Sequence, residues 1–187
     1  AADISQVTDA AREAARVLAG ATTHAKNRGL EAIAAALVER ADQILAANAE
    51  DMARGRAEQM SDGLLDRLAL TMDRLRSIAE AVREIVALPD PIGQVVRGGR
   101  TEIGLRVTQE RVPLGVVGII YEARPNVTID AAALALKAGN AVILRGGSAA
   151  QASNRVLIDV CRDALSSVGL PPDAISTVDP WGRGGAR

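Results

Sequence analysis

The stretch RVPLGVVGIIYEARPNVTIDAAALALKAGNAVILRGGS, residues 111–148, decides the fold. Gly115 to Tyr121 is a short, almost wholly apolar run, the pattern of a strand buried on both faces. Asn126 to Ala138 carries Ile129, Ala132, Ala133 and Leu136 at helical spacing, and Gly139-Asn140 ends that helix. Ala141 to Arg145 (AVILR) reads as a second buried strand, followed by the loop Gly146-Gly147-Ser148. Downstream, Ala150 to Val168 predicts another helix, GLPPD a turn, and Ile175 to Asp179 a third strand. Strand, helix, strand, helix, strand with short connections is one βαβαβ half of an open, doubly wound parallel sheet. The fold class is therefore α/β. Right-handed crossovers place both helices on one face, and ligands of such sheets lie beyond the carboxyl ends of the strands. Here those ends are the segments after Ile120, Leu144 and Val178.

Upstream, Gln94 to Val96 and Gly104 to Gln109 alternate or run in β-branched residues around the turn-rich GGRTEIG, which predicts a β-hairpin. Its moderately polar faces suit an arm rather than a core sheet. Residues 1–90 read as helical. Ser5 or Thr8 offers a cap before DAAREAARVLAG, and Thr22 or Thr23 caps a helix running through Gly29 to about Ala47. A third helix spans Ala49 to Met60, Ser61 caps a short turn at Leu64 and Leu65, and Thr71 opens a helix stopped by Pro89 and Pro91. These four amphipathic helices are candidates for the opposite face of the sheet. The closing WGRGGAR is basic, glycine-rich and without periodicity, so residues 180–187 are expected to be disordered or foreign to the rest.

The composition narrows the functions. Of 187 residues 48% are apolar, yet there is no Phe, one Tyr and one Trp, and the net charge is −1. An aliphatic core suits helix-on-sheet packing. Neither the charge nor the aromatic content gives a platform for nucleic acid or an anionic membrane. A lone cysteine, Cys161, excludes an internal disulfide and a multi-cysteine metal site, and the only histidine, His24, has no partner for a metal cluster or a Ser-His-Asp triad. The N-terminal residues lack a signal-peptide pattern and no apolar run reaches membrane-spanning length, so the expected setting is reduced and cytoplasmic.

Two motifs stand at strand ends. YEARPNVT (121–128) sets a phenol, a carboxylate, a guanidinium and an amide at a ligand-facing edge. Arg124 suits a phosphate or carboxylate, and Asn126 can donate to an oxyanion or simply cap the helix behind Pro125. LRGGS (144–148) offers two glycines, Arg145 and the Ser148 hydroxyl to a phosphate, although most Gly-Gly pairs are plain turns. No G-x-G-x-x-G is present, which disfavours the ordinary Rossmann grip. Cys161 lies on the apolar stripe of NRVLIDVCRDAL and reads as a core residue rather than a nucleophile.

In this order, LLDRLALT (64–71), DPIGQV (90–95), the block 111–148 and GLPP (169–172) resemble the γ-glutamyl phosphate reductase (glutamate-5-semialdehyde dehydrogenase) family, within the aldehyde dehydrogenase superfamily. The resemblance runs from the first helix to about Asp179. It implies a cofactor domain, a second α/β domain with a nucleophilic cysteine, and an oligomerisation arm that the hairpin at 94–109 matches in part. In the biosynthetic direction of proline synthesis a cysteine thiolate attacks γ-glutamyl phosphate, phosphate leaves, and NADPH reduces the thioester to glutamate 5-semialdehyde. Residue by residue, it sets Ile120, Tyr121 and Glu122 at the nicotinamide end and Arg145, Gly146, Gly147 and Ser148 at the adenosine ribose. Ser148 stands where NAD-preferring relatives carry a glutamate, so NADP(H) is the expected cofactor. Counting from the strand sets Arg124 opposite the superfamily's oxyanion asparagine, and counting back from Gly139-Asn140 does not restore Asn126, which stands as an oxyanion donor on its chemistry alone. The resemblance further implies γ-glutamyl phosphate as substrate, a homo-oligomer at full length, and residues 1–179 as a partial NADP-binding domain (1–90 helical, 91–111 arm, 112–179 βαβαβ). Without the cysteine domain the chain is expected to be inactive. The reading of a different class is a non-catalytic nucleotide-binding or assembly module. A coenzyme A-acylating aldehyde dehydrogenase suits the superfamily but not YEARPNVT.

Overall fold

The computed structural model describes residues 3–122 and 124–186, so Ala123 in the YEARPNVT turn and Arg187 at the end of the tail lie outside the described residues. In chain order the elements are α1 (Ile4–Ala19), α2 (Thr23–Glu39), α3 (Ala41–Ala57), α4 (Asp62–Leu68), α5 (Met72–Ala87), β1 (Val95–Arg100) and β2 (Arg106–Glu110). They continue with β3 (Val116–Ile120), α6 (Pro125–Lys137), β4 (Ala141–Arg145), α7 (Gln151–Ser167) and β5 (Ile175–Thr177). The expected βαβαβ unit is present: β3, β4 and β5 pair parallel in that order, with Ile120 opposite Arg145 and Val142 opposite Ile175. The third strand is shorter than expected. It stops at Thr177, and Val178 adds one hydrogen bond to β4, from its N–H to Leu144 O.

The helical half departs from the sequence reading in three ways. First, the long second helix breaks at Arg40, where the backbone leaves helical geometry (φ −103°, ψ 22°) and α3 begins, eight residues earlier than the expected third helix. No Gly or Pro marks the break, and the apolar stripe Leu30, Ile33, Ala34, Leu37, Ala41, Ile44 runs across it, so periodicity alone sees one helix. The Arg40 side chain turns outward to pair with Asp163 of α7 at 2.6 Å. Second, α1 is capped by Asp3, whose N–H donates to Gln6 Oε1; Ser5 and Thr8 bond to Asp3 Oδ2 and Ser5 O and cap nothing. Third, the layering is different.

Only α1 covers the opposite face of the sheet. Its small stripe Ala11, Ala14, Ala15 and Leu18 packs on β3, β4 and β5, while α6 and α7 occupy the other face. α2, α3 and α5 do not touch the sheet as a layer but pack on α6 and α7 from outside. The reason is that α6 and α7 are apolar on both sides: Ile129, Ala132, Ala133, Leu136 in one and Leu157, Ile158, Val160, Cys161, Leu165 in the other are all buried. Helices this apolar need a second cover. Gly29 permits the approach of α2, since a Cβ there would lie 2.7 Å from Leu170 Cδ1 and 3.1 Å from Leu165 Cδ2.

The β1–β2 hairpin is antiparallel and exposed along both strands, as an arm should be. Its strands run through Gly98 to Arg100, and the turn is confined to the Thr101–Gly104 segment, which Thr101 N–H and Gly104 N–H close. The tail from residue 180, expected to be disordered or foreign to the rest, instead continues from Asp179 to Ala186 in 3-10 turns with a break at Gly182. β3 is the more open edge of the sheet, with Ile120 65% exposed, whereas Ile175 and Ser176 of β5 are buried.

Candidate cofactor and substrate site

The two turns that the sequence singled out stand side by side. Because β3 and β4 are parallel neighbours in register, both chains leave the sheet at the same rim, and Tyr121 N–H donates to Arg145 O at 3.1 Å. Behind this rim lies a polar chain. Tyr121 Oη meets Thr128 Oγ1 at 2.7 Å, and Thr128 Oγ1 donates to Asn154 Oδ1 at 2.9 Å, joining β3, α6 and α7. Burial, with the Asp179 carboxylate nearby, pushes the Tyr121 phenol up to about 12 despite the Thr128 bond. The phenol therefore stays protonated at neutral pH and acts as a fixed hydrogen-bonding post, not an acid–base group.

Gly146 is the narrowest point. A Cβ there would lie 2.1 Å from Asn154 Nδ2 and 3.3 Å from Tyr121 Oη, so only glycine fits between those side chains. Its N–H donates to Asp179 Oδ1 at 2.7 Å. Burial raises the Asp179 carboxyl above the usual range, against the opposing pull of that N–H, Thr177, Asn154 and Arg145. Two buried donors remain without a well-formed hydrogen bond: Arg145 Nε and Asn154 Nδ2. The Asn154 amide is near enough to Asp179 to stabilise its anion, but not in bonding geometry. Buried polar groups are nearly always partnered, so these two donors stand out: Arg145, at the end of β4, is half-buried, whereas Asn154 is wholly enclosed behind Gly146.

The Gly147–Ala149 turn is braced by residues the sequence reading passed over. Asp51 of α3 is wholly buried and accepts from Ala152 N–H (3.1 Å), Ser153 N–H (2.8 Å) and Ser153 Oγ (2.7 Å), supplying the acceptors that the first turn of α7 lacks. Arg54 pairs with Asp51 and donates to Ala149 O at 3.1 Å and Ser148 O at 3.3 Å. Asn48 joins the same cluster, donating to Ser153 Oγ and Leu68 O and accepting from Leu70 N–H. The only signal in the sequence was the three-residue step Asn48, Asp51, Arg54, a polar line along one helix face.

Two clefts lie near these turns, and among the expected site residues only Arg124 and Asn126 line either of them. One, of about 430 Å³, lies at the ends of β4 and β5 beside the Ser148 turn and is lined by Arg54, Gln151, Arg155, Thr177 and Asp179 among others. The other, of about 460 Å³, holds Arg124 and Asn126 against α4 and α5. Ile120, Glu122, Arg124, Asn126 and Ser148 are exposed; Tyr121, Arg145 and Gly147 are half-buried; Gly146 is buried. Asn126 lends its side chain to Asp130, whose carboxyl burial nonetheless raises. Cys161 is 1% exposed and burial pushes its thiol up to about 12, as expected of a core residue and the opposite of a nucleophile. Among the described residues no group of three His, Cys, Asp or Glu side chains could hold a metal, and no helix is long and apolar enough to cross a membrane.

The chain combines a parallel βαβαβ unit that lacks a glycine fingerprint with an exposed antiparallel hairpin. The aldehyde dehydrogenase family model matches residues 1–186, and the chain belongs to that family. Within it, the chain is similar to γ-glutamyl phosphate reductases. That of Leifsonia xyli subsp. xyli is 58% identical over 95% of this chain and 42% of its own length. The crystal structure of γ-glutamyl phosphate reductase from Thermotoga maritima superposes with a TM-score of 0.95 at 39% identity, covering 98% of this chain and 44% of that one. The structure from Saccharomyces cerevisiae gives 0.89 at 28% identity, covering 95% and 46%. The chain thus spans less than half the length of these relatives.

Proposed function

We propose that this chain supplies the cofactor-binding part of an NADP(H)-dependent reductase that converts γ-glutamyl phosphate to glutamate 5-semialdehyde and phosphate, a step of proline synthesis. The observation that carries the reading is the rim itself: Tyr121 and Arg145 turn out of adjacent parallel strands, and the half-buried Arg145 has its Nε without a partner there. That guanidinium suits a phosphorylated, acceptor-rich group, so the residues present fit a nicotinamide dinucleotide. When bound, that group supplies the reducing equivalents. Ile120, Tyr121 and Glu122 would line its nicotinamide end, and Arg145, Gly146, Gly147 and Ser148 its ribose and 2′-phosphate. The exposed Ser148 would offer the 2′-phosphate a neutral hydroxyl where a glutamate at this position would repel it.

On the substrate side, Arg124 would bind an anionic group and Asn126 would donate to the carbonyl oxygen as negative charge develops there. The nucleophilic thiolate has no counterpart among these residues, because Cys161 is buried and held protonated. The chain by itself would therefore bind without turning over. The exposed apolar hairpin, with Val95, Val96, Leu105 and Val107 open to solvent, would serve assembly of a homo-oligomer in a cytoplasmic setting.

The test has two arms. NADP+ should perturb Tyr121, Gly146 and Ser148 in the 187-residue chain, which should release no NADPH from glutamate 5-semialdehyde, phosphate and NADP+. A protein carrying this chain continuous with a cysteine-bearing second domain should. Failure of both NADP+ and NAD+ to perturb the rim would overturn the reading in favour of a non-catalytic assembly module.

A further inference from the structure

The cleft between the start of α6 and the α4–α5 pair has its own charge pattern. One wall is α4, the 69–71 turn and the first half of α5; the other is the start of α6. It gathers three guanidiniums, Arg67, Arg74 and Arg124, against a single carboxylate, Asp66. That carboxylate is already taken. Arg74 donates to Asp66 Oδ1 at 2.6 Å, to Ala69 O at 2.8 Å and to the Asp66 carbonyl, so it stitches the end of α4 to α5 and neutralises Asp66. Ser77 is likewise engaged, its hydroxyl donating to Asp73 O at 2.9 Å. Arg67 and Arg124 are exposed and form no ion pair among the described residues. Two unpaired positive charges thus face one concave space.

We propose that this cleft is an oxyanion site in which Arg67 and Arg124 together hold one anionic end of an amino-acid-sized ligand. The inference rests on the reading of the adjacent rim as the reducing end of a substrate site, and adds to it a second arginine from a different part of the chain. The chemistry is that of the guanidinium fork, which matches a carboxylate or a phosphate with two parallel N–H donors. The volume, about 460 Å³, lies in the range of small-molecule pockets and admits a glutamate-sized molecule. Like charges lining one cleft repel, and an anion between them removes that repulsion. Arg74 does not bind; it ties the end of α4, which carries Arg67, to the start of α5. Asn48, bonded to both Leu68 O and Leu70 N–H, anchors the 69–71 turn from behind.

The test is an amide-resolved NMR titration of the 187-residue chain with L-glutamate and, separately, with inorganic phosphate. At least one anion should shift Arg67, Arg124 and Asn126 together. Arg67→Gln should weaken it about tenfold, the loss of one charge-assisted pair. Arg67→Lys, which keeps the charge without the fork, should lose less, and Arg97→Gln on the hairpin should change nothing. Glutamate alone assigns the carboxylate end, phosphate alone the acyl phosphate end, and either supports the site. The inference is overturned if neither anion perturbs the cleft up to about 10 mM, a weak limit for a single-anion site. It is also overturned if Arg67→Gln, with otherwise unchanged spectra, binds as the wild type does. NADP+ shifts at Gly146 and Ser148 in the same samples report the cofactor reading separately, so either can fail alone.

Discussion

Gly146 and Asn154 are packed so closely that the hydrogen of one takes the place any side chain would need against the other: a Cβ at 146 would stand 2.1 Å from Asn154 Nδ2. Asn154 cannot simply retreat, because its Oδ1 accepts from Thr128 Oγ1, which in turn meets Tyr121. Gly146→Ala should therefore lose about 1–3 kcal/mol, the usual cost of overpacking, read as a lower urea midpoint at constant slope. The double variant Gly146→Ala with Asn154→Ala should recover part of it. Equal stability of the single variant and wild type would show that the rim is looser than described.

Asp51 carries a heavier load than any residue picked out at the strand ends. It is wholly buried, meets three donors from the start of α7 and is paired with Arg54. Asp51→Ala leaves two backbone N–H groups and a guanidinium without their acceptor, and should cost about 3–5 kcal/mol in thermal or urea unfolding. Arg54→Ala should cost less but speed hydrogen exchange at the Ser148–Ala150 turn, since its donors to Ser148 O and Ala149 O vanish.

Acid should loosen the junction between α2 and the start of the arm. Burial pushes the Asp90 carboxyl up, but hydrogen bonds from Lys26, Thr23 and the Ile92 N–H outweigh it, and its pKa is lowered. Lys26 is 1% exposed and lies 2.7 Å from Asp90 Oδ2. A carboxylate with a folded-state pKa below its unfolded value stabilises fully above the unfolded pKa, and that contribution is lost as pH falls through the folded one. Stability of the wild type should then decline below about pH 4, and Asp90→Asn should flatten that decline while costing stability at neutral pH. The same slope in both proteins would remove Asp90 from the account.

The difference between what the sequence disclosed and what it hid follows the range of the interactions. The strands at 116–120 and 141–145 and the helix between them were legible because local apolar runs and the Gly139-Asn140 stop act within a few residues. The tight turns at Tyr121 and Gly146 followed from them, since parallel pairing forces both to one rim. The break at Arg40 was hidden, because its cause is the tertiary placement of α3 on α7 rather than a breaker residue. The stacking of α2, α3 and α5 outside α6 and α7 was hidden too: an amphipathic stripe states that a face is covered but not by what. Asp51, Arg54 and Asn154 escaped notice for a related reason. Their partners lie across the fold, as in the bond from Ser153 to Asp51, and no spacing within one helix announces such a contact.

Cofactor choice gives the sharpest test of the proposed role of the Ser148 turn. Ser148 is exposed, three residues beyond Arg145 at the end of β4, and its carbonyl is held by Arg54, which lines the neighbouring cleft. Ser148→Glu adds a negative charge without touching the buried chain of Tyr121, Thr128 and Asn154, so the fold should be retained. If the 2′-phosphate lies here, the new carboxylate repels it while leaving a bare ribose free to hydrogen-bond, and preference for NADP+ over NAD+ should fall at least about tenfold. Competition between the two dinucleotides, measured by saturation-transfer NMR on the 187-residue chain, reads that ratio directly. Arg145→Gln should shift it the same way, by removing the opposite charge. An unaltered ratio in both variants would move the phosphate site away from this turn, toward Arg155 across the same cleft.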